Sequence, residues 1–350
     1  MTAHPILVEA WRGPIVESMH RGALAVVDAD GGLRLALGDI DRPIFPRSAV
    51  KLLQALPLVE SGAAEQFGLG DAELALACAS HIGEPVHVQT AAAMLARTGL
   101  DATVLECGSH WPYSEAAQRA MAVRDEAPGP LHNNCSGKHA GFVCLGCAMA
   151  DAAGSDRRAF LTGYGKPGHP VMREVGAALQ ATTGWDLSKT VVATDGCSIP
   201  TCAIPLRHLA LAFARVASGQ GLRPGHAAAA RRLRRAIAAA PQMVAGTDKL
   251  DTLLAQRLGE RLLCKVGAEG VYCAALPELG LGLAVKMDDG NNARACEVVM
   301  ATLAGSMLTL SADEAAFVQG FGDAPITNRN GLRVGRLAAS DGLRAALVRS

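Results

Sequence analysis

The chain has 350 residues, half of them apolar but only 4% aromatic, so its core has to be built largely from Ala, Leu and Val. Thirty-three Lys and Arg balance thirty-three Asp and Glu, which argues against nucleic acid or an anionic membrane as the main partner. Glu9 and Arg12 interrupt the N-terminal apolar run, and the best apolar stretch, 298–310, is shorter than the ~18 residues of a membrane span. A cytoplasmic chain is expected, with ten cysteines that are buried, ligating or catalytic rather than disulfide-bonded.

In chain order, the first 45 residues read as strands, "ILVEAW" and "ALAVVDADGGLRLALGD", with Asp30-Gly31-Gly32 as a hairpin signal. From Ser48 to about Ala240 the pattern is mainly helical. Helices are expected at 48–60, 71–79, 86–98, 114–123, 136–151, 170–183 and 225–239, with short strands near 103–106 and 191–194. Strands return in "LLCKVGAEGVYCAALPELGLGLAVKM", followed by a helix at 292–308 and a last strand pair around 325–337. Strands at both ends with helices between predict an α+β fold: one antiparallel sheet formed by both chain ends and a large helical lobe. The domain reading is a single catalytic domain of two lobes, a sheet lobe of about 1–47 and 260–350 and a mainly helical lobe of about 48–259.

Four polar stretches carry chemistry. In "PRSAVKLLQ" Ser48 and Lys51 lie one helical turn apart, the spacing a lysine needs to take a proton from a serine hydroxyl. "ACASHIGEP" places Ser80 and His81 after an apolar helix. "HNNCSGKHAGF" packs Asn133, Asn134, Cys135, Ser136, Lys138 and His139 ahead of another, and "TDGCSIPTC" supplies Asp195 and Cys197. Two thiolates and one nitrogen suit zinc. Cys135 can share a helix face with either Lys138 or His139, and by ligand chemistry alone the imidazole is preferred. "CKVGAEG" puts Lys265 on a strand before Val-Gly, like the third element of serine β-lactamases, and Ser48-x-x-Lys51, Ser80 and Lys265 follow that framework's order. The CxxC spacing of Cys144 and Cys147, inside "GFVCLGCAMA", reads as two buried thiols, and "RRLRR" at 231–235 as a solvated helix face.

Together, "PRSAVK", "SHIGEPVH", "HNNCSGKHAGF", "DGCSIPT", "VAGTDKLDT" and "KVGAEG" resemble the bacterial asparaginase family typified by the inducible rhizobial L-asparaginase, over residues 5 to 337. The Thr-Gly-Gly-Thr segment of a better-known asparaginase class is missing. The resemblance implies a serine β-lactamase-like fold, a homodimer, and hydrolysis of L-asparagine to L-aspartate and ammonia. It implies two Ser–Lys pairs, Ser48 with Lys51 and Ser80 with Lys265. It further implies a zinc held by Cys135, Lys138 and Cys197, which leaves His139 to contact substrate or to support the ligands. Asp251 stands where that family carries a cysteine.

On this reading Ser48 attacks the amide and Lys51, desolvated so that it is neutral, takes its proton. Ser80 and Lys265 relay protons while water releases the acyl group. Arg47 and the Asn133–Asn134 loop are candidates for the substrate's α-carboxylate, Asp195 or Glu269 for its α-ammonium, and His81 and His139 for further contacts. Two other functions are compatible with the same residues: another serine amidase or esterase on this framework, or a zinc- or amino-acid-binding relative without catalysis.

Overall fold

The computed structural model describes residues 3–348. The chain divides into two compact units. One takes the residues up to Ala49, Ile204–Ser218 and Cys264 onward; the other is Val50–Ala203 and Gly219–Leu263.

The first unit is built on an antiparallel sheet whose strands run in the order Asp323–Thr327, Arg333–Ala339, Ile6–Arg12, Ile15–Asp28, Leu281–Met287, Val271–Leu276 and Leu263–Val266, with Leu33–Leu37 added on Ile15–Asp28. Both chain ends therefore meet in one sheet: Val8 is opposite Ala339 and Trp11 opposite Arg336. Ser340 seals the junction by donating from Oγ to the Ile6 carbonyl (2.7 Å) and accepting from the Leu343 N–H (3.2 Å), which starts the last helix, Asp341–Val348. Strand Ile15–Asp28 is long because its two halves do different work. Its first half pairs with Ile6–Arg12 and its second with Leu281–Met287. Ala23 to Val27 sit in that second half with every side chain buried, and a strand covered on both faces reads as an unbroken apolar run.

Helix Leu206–Ser218 packs on this sheet, against Ile15–Asp28, Val271–Leu276 and Leu281–Met287. It falls outside the helices expected from the sequence and inside the sheet-bearing unit. Burying Phe213 completely on it contributes about 1.5–3 kcal/mol. The expected helix at 292–308 is a π-helical turn, Asn292–Cys296, running into α-helix Glu297–Met307.

The second unit is helical and centres on Ser136–Ala152, buried along most of its length. Gly137 makes this possible: a Cβ there would lie 2.3 Å from the Leu76 carbonyl oxygen, so only glycine lets the helix lie against Asp71–Ala77. The expected helices at 86–98, 114–123, 170–183 and 225–239 appear as Pro85–Arg97, Glu115–Val123, Pro170–Thr183 and Pro224–Ala239. The expected strand at 103–106 is instead the 3-10 turn Ala102–Val104, because Asp101 accepts the Thr103 N–H (2.9 Å) and curls the chain. A small hairpin, Val192–Thr194 with Pro200–Cys202, carries Cys197 in its loop.

The result is the α+β class expected from the sequence, an antiparallel sheet made by both chain ends with most of the helices between them in sequence. No helix among the described residues is long and apolar enough to cross a membrane. Cys144 and Cys147 are buried thiols as expected, and burial pushes Cys144 up to about 12.

Candidate active site

In the second unit, Lys51 opens helix Lys51–Gln54, directly after the 3-10 turn Arg47–Val50 that contains Ser48. Its side chain is fully buried. The amine donates to the carbonyls of Ala79 (2.5 Å) and Asn134 (3.3 Å). The first contact draws it to the residue preceding Ser80, so this unit brings Lys51 and the Ser80 segment together. Burial pushes the Lys51 ammonium below the ordinary lysine range, and the neighbouring Lys138 pushes the same way against the pull of Cys135. A neutral amine has two N–H bonds and one lone pair. Two carbonyls can take both hydrogens, and the lone pair is then shared between the neighbouring Cys135 thiol and any incoming proton donor.

Lys138 is the second buried amine, in the first turn of Ser136–Ala152, and donates to Cys197 Sγ (2.9 Å). The Cys135 and Cys197 side chains are close enough to share a proton, and this interaction, opposed by burial and aided by Lys51 and Lys138, holds Cys135 well below the usual thiol range. The same interaction and burial push Cys197 up. Burial alone would push the Lys138 ammonium down, but the sulfurs of Cys135 and Cys197 outweigh it and hold it above its ordinary value. Among the described residues no group of three His, Cys, Asp or Glu is arranged to hold a metal. Two sulfurs and an amine do converge here, a donor set that suits zinc once Lys138 gives up its proton.

His139, the alternative nitrogen, is fully buried and turned to Tyr164: its Nδ1 meets the tyrosine hydroxyl at 2.6 Å. That hydroxyl accepts the Glu106 N–H (3.0 Å), and Nε2 of His139 is a buried nitrogen without a hydrogen-bond partner. Burial, reinforced by Lys138 and Lys51, keeps the ring neutral. His81 is fixed as the Nε2–H tautomer, because Nδ1 accepts the Gly83 N–H (3.1 Å) and Nε2 must then donate to Ser136 Oγ (2.9 Å). The Asn133 side chain is spent on the loop, donating to the Cys107 and Gly108 carbonyls and accepting the Cys135 N–H (2.8 Å). Asp195 is tied into its hairpin loop: its carboxylate accepts the Gly196 N–H (2.7 Å) and faces Cys197 Sγ at 3.9 Å.

The first unit holds Arg47, Ser48, Lys265 and Glu269. Arg47 has φ 51°, a left-handed backbone that costs a non-glycine residue about 1–2 kcal/mol. Lys265 is buried on strand Leu263–Val266 and donates to the Val266 carbonyl (2.8 Å). Just beyond it Gly267 passes against the Pro46 carbonyl, two residues before Ser48. This unit therefore brings the Ser48 turn and the Lys265 strand together.

The model of the L-asparaginase II family matches residues 8–339. The chain belongs to the L-asparaginase II family. An asparaginase-type activity on a small amide follows from that membership. No curated protein matches the chain. Two solved structures overlay on it. One is a β-lactamase from Mycobacterium bovis, 14% identical, covering 77% of this chain and 88% of that one at a TM-score of 0.34. The other is a candidate β-lactamase from Bacteroides dorei, 12% identical, covering 78% and 86% at 0.37.

Several residues that hold these side chains in place are not among those the sequence singles out. Tyr164 and Glu106 form one bracket: the Glu106 carboxylate accepts the N–H groups of Gly163 (2.6 Å) and Gly165 (3.0 Å), clamping the loop that presents Tyr164 to His139. The one local signal is a tyrosine between two glycines in "GYGKPGH". His110 forms another, accepting the Asn134 N–H at Nε2 (2.9 Å) and so steadying the carbonyl that meets Lys51. His87 stacks on His81 with ring centroids 4.8 Å apart.

Proposed function

We propose that this family member is an L-asparaginase that hydrolyses L-asparagine to L-aspartate and ammonia through Ser48 as nucleophile and Lys51 as its general base. The observation that carries the reading is the setting of Lys51: a wholly buried amine, three residues after a serine, held by two main-chain carbonyls. Ser48 lies in the 3-10 turn that opens the helical run, and main-chain N–H groups at such a helix start are suited to an oxyanion. Ser80 and Lys265 move protons while water cleaves the acyl-enzyme. Arg47 and Asn134 receive the α-carboxylate, with Asn133 fixing the loop that presents Asn134; Asp195 or Glu269 receives the α-ammonium, and His81 and His139 line the substrate.

Zinc held by Cys135, Lys138 and Cys197 belongs to the same proposal; when bound it supplies a fixed positive charge beside the pocket. Support comes from the approach of Lys138 Nζ to Cys197 Sγ and from the coupling of the Cys135 and Cys197 side chains. Within this reading the enzyme works as a homodimer in the cytoplasm, a placement that suits ten free cysteines. The test is ammonia release from L-asparagine, D-asparagine and L-glutamine, with nitrocefin as the β-lactam substrate. Turnover of L-asparagine that vanishes in Ser48→Ala supports the reading; turnover of nitrocefin alone, or none, overturns it.

A further inference from the structure

We infer that Asn292 is a positioning residue that acts through Glu269 on the affinity for substrate. This rests on the reading above in which Glu269 receives the substrate's α-ammonium.

Glu269 has φ 56° and is exposed, in the turn that follows the Lys265 strand. The left-handed backbone favours glycine, and an exposed glutamate gains nothing there from packing. A glycine would relax the turn, so a glutamate held in this conformation points to work for its carboxylate.

A set of hydrogen bonds holds it. The Asn292 amide is engaged at both ends, with Oδ1 accepting the Gly270 N–H (3.1 Å) and Nδ2 donating to the Val271 carbonyl (3.1 Å). Only this orientation sets a donor against an acceptor at each end, so the amide reads the direction of the turn. Lys286 donates to the Glu269 carbonyl (2.6 Å) and the Met287 N–H to the Gly270 carbonyl (2.8 Å). Asn292 itself starts the π-helical turn Asn292–Cys296 and follows a pinned segment: Asp289 accepts from the Asn291 N–H (3.0 Å) and meets His20 Nδ1 at 2.5 Å. The clamp is thus anchored in the sheet and ends on the backbone of Gly270 and Val271, the two residues directly after the glutamate that carries the carboxylate.

The test is steady-state ammonia release from L-asparagine by Asn292→Ala, Glu269→Gln and the double variant. Asn292→Ala is expected to raise KM about fivefold or more with kcat within about threefold, Glu269→Gln to raise KM at least as far, and the double variant to go no higher than Glu269→Gln alone. If Asn292→Ala does not accumulate as folded protein, Asn292→Asp, which keeps the acceptor and loses the donor, is put through the same comparison. KM effects that multiply in the double variant, a lost kcat at unchanged KM, or no change with Asn292 replaced would overturn the inference while leaving Glu269 as a substrate contact. An unchanged KM in Glu269→Gln would remove Glu269 from the substrate, and the role of Asn292 with it.

Discussion

A Cβ on Gly267 would lie 2.7 Å from the carbonyl oxygen of Pro46. The strand that carries Lys265 thus runs out against the segment that leads into Ser48, with no room for a side chain between them. Backbone cannot yield as a flexible side chain does, so Gly267→Ala has to separate the two segments. We expect a stability loss of about 1–3 kcal/mol and at least about a tenfold drop in asparagine turnover. Gly176→Ala is the control. Nothing lies within 4 Å of a Cβ there, inside helix Pro170–Thr183, and the change should raise stability by about 0.5–1 kcal/mol. Thermal melts and ammonia release decide the matter, and full activity in Gly267→Ala would refute the coupling.

Ser48→Ala and Lys51→Met should each abolish asparagine hydrolysis while circular dichroism stays native. Methionine fills most of the buried volume that Lys51 occupies without demanding its hydrogen bonds. Lys265→Ala should be severe as well. Activity within about tenfold of wild type in Ser48→Ala would end the nucleophile assignment.

The pH profile follows from Lys51. Burial lowers its folded pKa below the ordinary value, and the base works only when deprotonated, so activity should rise as pH climbs through that lowered pKa and level off before the ordinary lysine range. The unfolded chain binds the extra proton over the same interval, so stability too should increase with pH there. A rate that peaks below about pH 6 would point to a carboxylate base instead.

Metal content tests the ligand set. Cys135→Ser, Cys197→Ser and Lys138→Ala should each deplete zinc measured by plasma emission, while His139→Ala should keep it and raise KM. Binding should release protons, because Lys138 is held protonated beside its thiol neighbours. A site emptied by His139→Ala and not by Lys138→Ala would transfer the role to the imidazole. A wild-type protein free of zinc would strike the metal from the proposal.

The legible part of this protein was whatever local pattern decides. Period-3.6 runs ending in Gly or Pro located Pro85–Arg97 and Pro170–Thr183, and polar clusters beside apolar elements singled out Lys51, Cys135 and Cys197, whereas Lys138 came from the family resemblance, ligand chemistry alone favouring His139. Helix Leu206–Ser218 escaped because it directly follows the strand Ile204–Pro205 with no polar cap to announce it. Tyr164, Glu106 and Asn292 escaped for a different reason: their roles are set by partners 58, 57 and 22 residues away, respectively, which no local window contains.

The hydrogen bond from Ser340 to Ile6 joins residues 334 apart in sequence. On a ribosome, the strand Ile6–Arg12 emerges early and must wait, one edge unpaired, for almost the whole polypeptide to be made before Arg333–Ala339 arrives beside it. The helical residues 50–203 are complete well before then, so they can compact first while the sheet stays open. Stop codons that remove even the last twenty residues would strip Ile6–Arg12 of its neighbour and leave a sticky edge during synthesis.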